Sequence, residues 1–186
     1  MKITVYCGSA GGQNPIYMQK AKEFGELIAK NGHQLVYGGG HVGMMGTIAD
    51  AVLANDGYVT GVIPVALENK ELAHKGVQEL HIVDSMKERK AMMEDFGDAY
   101  VAMPGGVGTL EEIFQVWTLA QLGYHKKPVA FLDVNGYYSH MFTFLKHAEE
   151  EGFILPRLWD MIIIEEDIEK LLAHLQDYHA PKPKWD

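Results

Sequence analysis

The sequence predicts an α/β fold: a Rossmann-like, doubly wound parallel sheet forming a single domain over 1–180, with an exposed tail at 181–186. Three observations point there. Short apolar runs alternate with segments whose apolar residues recur at helical spacing, and glycine-rich turns stand between strand and helix at 38–46 and 104–109. A chain of 186 residues, 47% hydrophobic, can bury one continuous core. Parallel strands need crossovers, and right-handed crossovers laid on both faces give a doubly wound sheet.

Residues 3–6 read as the first strand, ending at Cys7-Gly8-Ser9, with Ala10-Gly11-Gly12 as a flexible turn. Asn14-Pro15 starts a helix carrying Ala21, Phe24, Leu27 and Ile28, which Asn31-Gly32 stops. Residues 34–37 form the second strand, and the turn 38–46 leads into a helix packed by Ile48, Ala51 and Val52. Residues 58–63 form the third strand, ended by Pro64. The stretch 67–78 is charged and irregular, as a flap or connection is, and 79–83 is the candidate fourth strand. Ser85 is placed to cap a helix over 86–96. Residues 99–103 form a buried fifth strand stopped at Pro104, and a helix runs on from there toward Leu122. The strand 129–132, a helix carrying Met141, Phe144, Leu145 and Ala148, the strand 161–164 and the helix 168–175 complete the alternation. The tail Pro181-Lys182-Pro183-Lys184 reads as extended and exposed. In such sheets ligands collect beyond the carboxyl ends of the strands, where Ser9 and the loops 38–46 and 104–109 converge.

The formal net charge of −9 lacks the broad basic field that nucleic acid binding needs, so phosphate recognition has to be local and the expected partner is a small molecule. Cys7 is the single cysteine, so it has no internal disulfide partner, and no Cys/His run has zinc-ligand spacing. Both fit a reducing compartment without a structural metal. No apolar stretch approaches the roughly 20 residues of a membrane span, and Met1-Lys2 leads into a strand rather than a signal-peptide core. The expected address is the cytoplasm, without membrane or nucleic acid as partner.

The sharpest motif is Pro104-Gly105-Gly106-Val107-Gly108-Thr109-Leu110-Glu111-Glu112. Glycines let the backbone approach a ligand closely, and the free N–H groups and dipole of a helix start favour an anion such as a phosphate. Thr109 is placed to cap the helix and to offer its hydroxyl. The plainer reading is a strand-to-helix turn whose two carboxylates complement the dipole, although a phosphate loop followed at once by Glu111 and Glu112 favours a site. The turn 38–46 matches neither the dinucleotide fingerprint nor the Lys-bearing phosphate loop, because Met44-Met45-Gly46 stands where the lysine belongs. Arg89-Lys90 supplies positive charge for a phosphate or carboxylate, yet a helical arginine read by itself lies over apolar neighbours with its charge solvated. The nine histidines are scattered, and His33, His74, His81, His125 and His147 read as structural or exposed. There is no Gly-x-Ser-x-Gly elbow, and Cys7 reads as a small apolar strand-end residue.

Taken together, several motifs resemble the LOG-type proteins, cytokinin riboside 5′-monophosphate phosphoribohydrolases that are often mislabelled lysine decarboxylases. They are Cys7-Gly8-Ser9, Tyr37-Gly38-Gly39-Gly40 with Gly43-Met44-Met45-Gly46, Gly61-Val62-Ile63-Pro64, Met86 with Arg89-Lys90, the 104–112 motif, Ala120-Gln121-Leu122-Gly123 and Asp133-Val134-Asn135-Gly136-Tyr137-Tyr138. The resemblance implies that Arg89 and Glu112 are the catalytic pair and that Lys90, 106–111, Glu71 and Thr118 line the nucleotide site. Gly8, Ser9, Gly39, Gly40, Met44, Gly46, Met86, Pro104 and Gly105 complete the expected substrate-binding set. It implies no metal or other cofactor, and a homodimer, to whose interface the helix through Ile113 and Leu122 is a candidate contributor. The chain departs from the commonest plant pattern at Val107, at His41-Val42 and at Met44, which leaves the phosphate cradle intact and bears on the N6 substituent.

The expected reaction is hydrolysis of AMP or N6-modified AMP to base and ribose 5-phosphate. Glu112 would stabilise positive charge on the ribose, and Arg89 would hold Glu112 ionised and aimed or contact the nucleotide. A nucleotide-binding or sensing module without chemistry is the alternative from another class. A pyridoxal phosphate lysine decarboxylase would need a Schiff-base lysine, for which no supporting context is present.

Overall fold

The structure, a computed structural model, describes every residue except Asn69, Glu71 and Asp186, so the expected site residue Glu71 lies outside the described residues. Among the described residues seven strands form one parallel sheet: β1 (Lys2–Tyr6), β2 (Gln34–Tyr37), β3 (Tyr58–Pro64), β4 (Glu79–Val83), β5 (Ala99–Ala102), β6 (Val129–Leu132) and β7 (Ile162–Glu165). Their order is β4-β3-β2-β1-β5-β6-β7. The chain winds outward from β1 to β4, then restarts beside β1 with Ile3 opposite Ala99 and Tyr6 opposite Ala102. The β1/β5 seam is therefore the switch point at which a doubly wound sheet opens a crevice.

Two helical layers cover the sheet. Helices α1 (Ile16–Lys30), α2 (Gly43–Leu53) and α7 (Ile168–Gln176) pack Phe24, Ile28, Ile48, Val52, Leu171 and Leu172 against Ile3, Val5 and Leu35. On the other face α4 (Met86–Phe96), α5 (Val107–Gln121) and α6 (Ser139–Glu150) pack Met93, Ile113, Trp117 and Leu145 against Tyr6, Val36, Tyr100 and Phe131. Successive residues of β1 thus serve opposite layers, as the two-residue period of a strand requires. A fully buried side chain such as Phe24 contributes roughly 1.5–3 kcal/mol by leaving water. Thr4 is a polar residue inside this core, and its hydroxyl is satisfied by donating to Met93 O at 3.0 Å.

Local chemistry explains most boundaries. Asn14 Oδ1 accepts the Ile16 N–H at 3.0 Å, so Asn14 helps start α1, and Pro15 stands just before its first residue rather than within it. Ser85 caps α4 as expected, its Oγ accepting from Glu88 N at 3.2 Å. A short helix, α3 (Val65–Glu68), follows β3 and takes in Leu67 and Glu68, the first residues of the stretch expected to be irregular. The connection after it is pinned: Gly40 bridges Ala73, His41 N–H donates to Leu72 O at 3.0 Å and His74 N–H to Gly39 O at 2.9 Å. The tail is not wholly exposed as expected. Lys184 N–H donates to Gln121 O at 2.7 Å, and Arg157 Nη2 donates to Lys184 O at 2.7 Å.

Candidate active site

The loops that follow β1, β2 and β5 meet at the switch point. Gly8 N–H donates to Pro104 O at 3.0 Å. A Cβ on Gly105 would lie 2.1 Å from Thr109 Oγ1 and 2.9 Å from Gly8 N, so the approach of the two loops requires glycine there. A Cβ on Gly43, whose φ is +55°, would lie 2.3 Å from Ser9 O, which brings the start of α2 against the same loop.

The start of α5 differs from the expectation in one respect. Its cap is Gly106, at φ −92° and ψ −157°, which offers no side chain; Thr109 is buried inside the first turn with its hydroxyl over Gly105. Thr109 is therefore not the cap. The first N–H groups of a helix have no intrahelical acceptor, and here no cap side chain accepts them, so the electrostatics of this helix start favour an anion.

Beside it opens a cavity of about 250 Å³ lined by Gly8, Ser9, Met86, Arg89, Gly106, Gly108, Thr109, Glu111 and Glu112, among others. A second cavity of about 310 Å³ shares Gly8, Ser9 and Gly106 and adds Met44, Pro104 and Gly105, with Tyr17 and Tyr137 as walls that were not among the expected site residues.

Arg89 departs from the solvated helical arginine expected from its local sequence. It is buried, and its Nε and Nη2 donate to Val62 O at 3.1 Å and Gly38 O at 2.9 Å. Gly38 makes room for it, since a Cβ at that position would lie 2.0 Å from Nη2. Lys90 is ion-paired with Glu111.

Other expected residues take different places. Gly39 (φ +76°) turns the chain out of β2, Gly40 carries the bridge to Ala73, and Gly46 allows close packing on His41 O, which would lie 2.5 Å from a Cβ. Val107 is 83% exposed at the helix start, and half-buried Leu110 packs into the α4/α5/α6 layer. Thr118 faces outward, with its hydroxyl on Phe114 O at 2.7 Å. The apolar side chains Ile113, Val116, Trp117 and Ala120 of α5 are buried within this chain, and Leu122 beyond them is exposed.

The field of the site registers on β1. Burial pushes the Cys7 thiol up to about 12, with Glu112 adding to the rise and Arg89 opposing it. Tyr6 is raised well above its ordinary value, first by burial and then by Glu112. Cys7 thus remains a protonated thiol, unsuited to nucleophilic attack.

A cluster that sequence spacing did not reveal joins His41, Asp50 and His74, with one candidate ligand atom from each lying within 4.8 Å of the others. His74 Nε2 is 2.9 Å from Asp50 Oδ1, and His41 Nε2 is 3.3 Å from Asp50 Oδ2. Metal-bound histidines donate through their second ring nitrogen. His74 does the reverse, because its Nδ1 accepts the Gly76 N–H at 3.1 Å, which leaves Nε2 as the protonated atom facing Asp50. The cluster reads as a hydrogen-bonded clamp between α2 and the connection into β4.

Residues 45–175 match the family model described as possible lysine decarboxylase. The chain is 45% identical over 175 residues to the cytokinin riboside 5′-monophosphate phosphoribohydrolase of Rhodococcoides fascians, covering 94% of this chain and 88% of that one. It is 43% identical over 192 residues to LOG1, the Arabidopsis thaliana protein of the same description, covering 100% and 90%. Among solved structures, the molybdenum cofactor binding protein of Rippkaea orientalis has a TM-score of 0.71 at 20% identity over 95% of each chain, a likeness of fold alone. Identity at this level along nearly the whole length means that the chain belongs to the LOG family of cytokinin riboside 5′-monophosphate phosphoribohydrolases.

Proposed function

We propose that this chain hydrolyses the N-glycosidic bond of a nucleoside 5′-monophosphate, AMP or N6-substituted AMP, to free base and ribose 5-phosphate. The observation that carries the reading is one cavity at the β1/β5 seam where an uncapped helix start, Arg89 and Glu112 meet. The phosphoribohydrolase activity for which relatives 41–45% identical to this chain are named supports it.

The N–H groups at the start of α5 hold the phosphate and thereby set the ribose along the first turns of the helix, where Glu112 stands. As the bond from C1′ to the base nitrogen lengthens, positive charge grows on the ribose ring, and the Glu112 carboxylate stabilises it. The same carboxylate orients water for attack at C1′; the water oxygen stays on the sugar and a proton passes to the base. Arg89, held by two strand-end carbonyls, aims Glu112 or meets the nucleotide directly. Met86 lies within the same cavity, and the Lys90–Glu111 pair completes the nucleotide's surroundings in this reading.

A cytoplasmic address, a small-molecule partner and a homodimer go with the reading. No helix among the described residues is long and apolar enough to cross a membrane.

The test is chromatography of AMP and isopentenyl-AMP after incubation with the chain, where free base and ribose 5-phosphate are expected. Glu112→Ala should abolish base release while leaving nucleotide binding measurable. Unchanged turnover in that variant overturns the role of Glu112, and binding without product by the unmodified chain points instead to a sensing module.

A further inference from the structure

Three successive carbonyls in the turn before α5 each receive a donor from a different part of the fold. Met103 O accepts from Tyr138 Oη at 2.6 Å, Pro104 O from Gly8 N at 3.0 Å and Gly105 O from Tyr137 Oη at 2.7 Å. The two tyrosines come from the turn after β6, where Asn135 (φ +55°) and Gly136 (φ +65°) adopt left-handed backbone and Asp133 Oδ1 accepts the Tyr138 N–H at 2.7 Å. Tyr138 is buried, whereas Tyr137 is 42% exposed and stands edge-on to Tyr17 along the second cavity. Neither ring adds charge to the main cavity, and the contacts of both hydroxyls are with backbone.

In a planar trans peptide the C=O of one residue and the N–H of the next point in opposite directions. Holding Gly105 O toward Tyr137 therefore sends the Gly106 N–H away from Tyr137, toward the start of α5. This peptide lies between two glycines. Inverting it would carry the φ of Gly106 from −92° toward positive values that glycine alone adopts freely, and would aim a carbonyl where an anion needs a donor.

We propose that Tyr137 is a positioning residue for anion binding: its hydroxyl holds the 105–106 peptide in the orientation that presents the Gly106 N–H to the nucleotide phosphate. The inference rests on the phosphate-binding reading of the α5 start. Tyr137 touches neither sugar nor base in this scheme, so its effect is confined to ligands that carry the phosphate.

Equilibrium binding of AMP and adenosine tests this in a Glu112→Ala background, which removes turnover. Adding Tyr137→Phe keeps the ring and deletes the hydroxyl. AMP affinity is expected to fall at least about tenfold, the scale of a hydrogen bond to a charged group, while adenosine affinity stays within about twofold. Alanine at position 106 resists positive φ and its Cβ meets nothing within 4 Å, so in a Gly106→Ala background the same Tyr137→Phe change should cost AMP less. An unchanged AMP-to-adenosine ratio, equal losses for both ligands, an equal loss in both backgrounds, or AMP binding no tighter than adenosine before the change would each overturn the proposal. Absence of base release by the unmodified chain is a separate result, which overturns the hydrolase reading and leaves this binding comparison standing.

Discussion

A buried guanidinium costs free energy unless its donors are met, and two of those of Arg89 go to the carbonyls of Val62 and Gly38. That makes Gly38 a sensitive position outside the reacting groups. In Gly38→Ala the new Cβ would fall 2.0 Å from Nη2, so the guanidinium has to leave its seat. Each lost hydrogen bond to a charged group costs about 1.5–3 kcal/mol, which a folded chain can survive, whereas the site loses its fixed cation. Base release should therefore fall about a hundredfold or more with only a moderate drop in Tm; a variant that keeps full turnover would detach Arg89 from the chemistry. Cys7 carries a second residue-scale prediction. Its thiol is held up to about 12 against an ordinary value of 9.0, chiefly by burial. Below the ordinary value both folded and unfolded thiols are protonated and the contribution to stability is complete; as pH rises from there toward about 12, only the unfolded thiol ionises and that contribution is lost. A thiol-specific chromogenic reagent at mildly alkaline pH should detect no free thiol until denaturant is added, and rapid labelling of the folded chain would contradict this.

At the scale of elements, the link from α5 into β6 depends on a neutral imidazole. His125 Nε2 donates to Val116 O at 2.8 Å while Nδ1 accepts the Lys127 N–H at 3.2 Å, one donor and one acceptor on the same ring. Burial lowers its pKa from the ordinary 6.5, so its contribution is complete above that value and is lost as pH falls through the lower folded value. His33, lowered chiefly by burial, acts with the same sign. Thermal midpoints should drop as the medium is acidified below the ordinary histidine range, and His125→Gln should lessen the slope without removing it; an identical slope would place the acid sensitivity elsewhere. The elements themselves were legible wherever a boundary carries its own local chemistry. Ser85 caps α4, Pro64 stands at the end of β3, and β1 and β5 read as short apolar runs. α3 was missed because four residues cannot display a helical period. The cap of α5 was misplaced because a glycine cap leaves no side-chain signal and Thr109 supplied a false one. At the site, the glycine turns and Glu112 could be read locally. The burial of Arg89 could not, because its acceptors lie 27 and 51 residues away, and neither could the pairing of Asp50 with His74, 24 residues apart. Such contacts exist only once parallel strands bring the loops together.

The whole molecule sets long-range charge against local grip. A net charge of −9 repels an anionic nucleotide at a distance, whereas in the proposed site the helix start and Arg89 would act on a phosphate or carboxylate within a few ångströms. Salt separates the two effects, because charges in solvent are screened beyond about 10 Å at 0.1 M ionic strength and hydrogen bonds in a partly closed cavity are screened far less. Lys90, next to Arg89 on α4, is ion-paired with Glu111, which limits its free pull on a ligand. Raising the salt should therefore remove repulsion faster than it removes grip. The KM for AMP is expected to stay level or to improve by up to about twofold between low and physiological ionic strength, unlike the steep weakening that accompanies counterion release from a polyanion. A KM that climbs by an order of magnitude over that range would mean that exposed cations hold the nucleotide. The backbone N–H groups at the head of α5 would then not be its principal anchor.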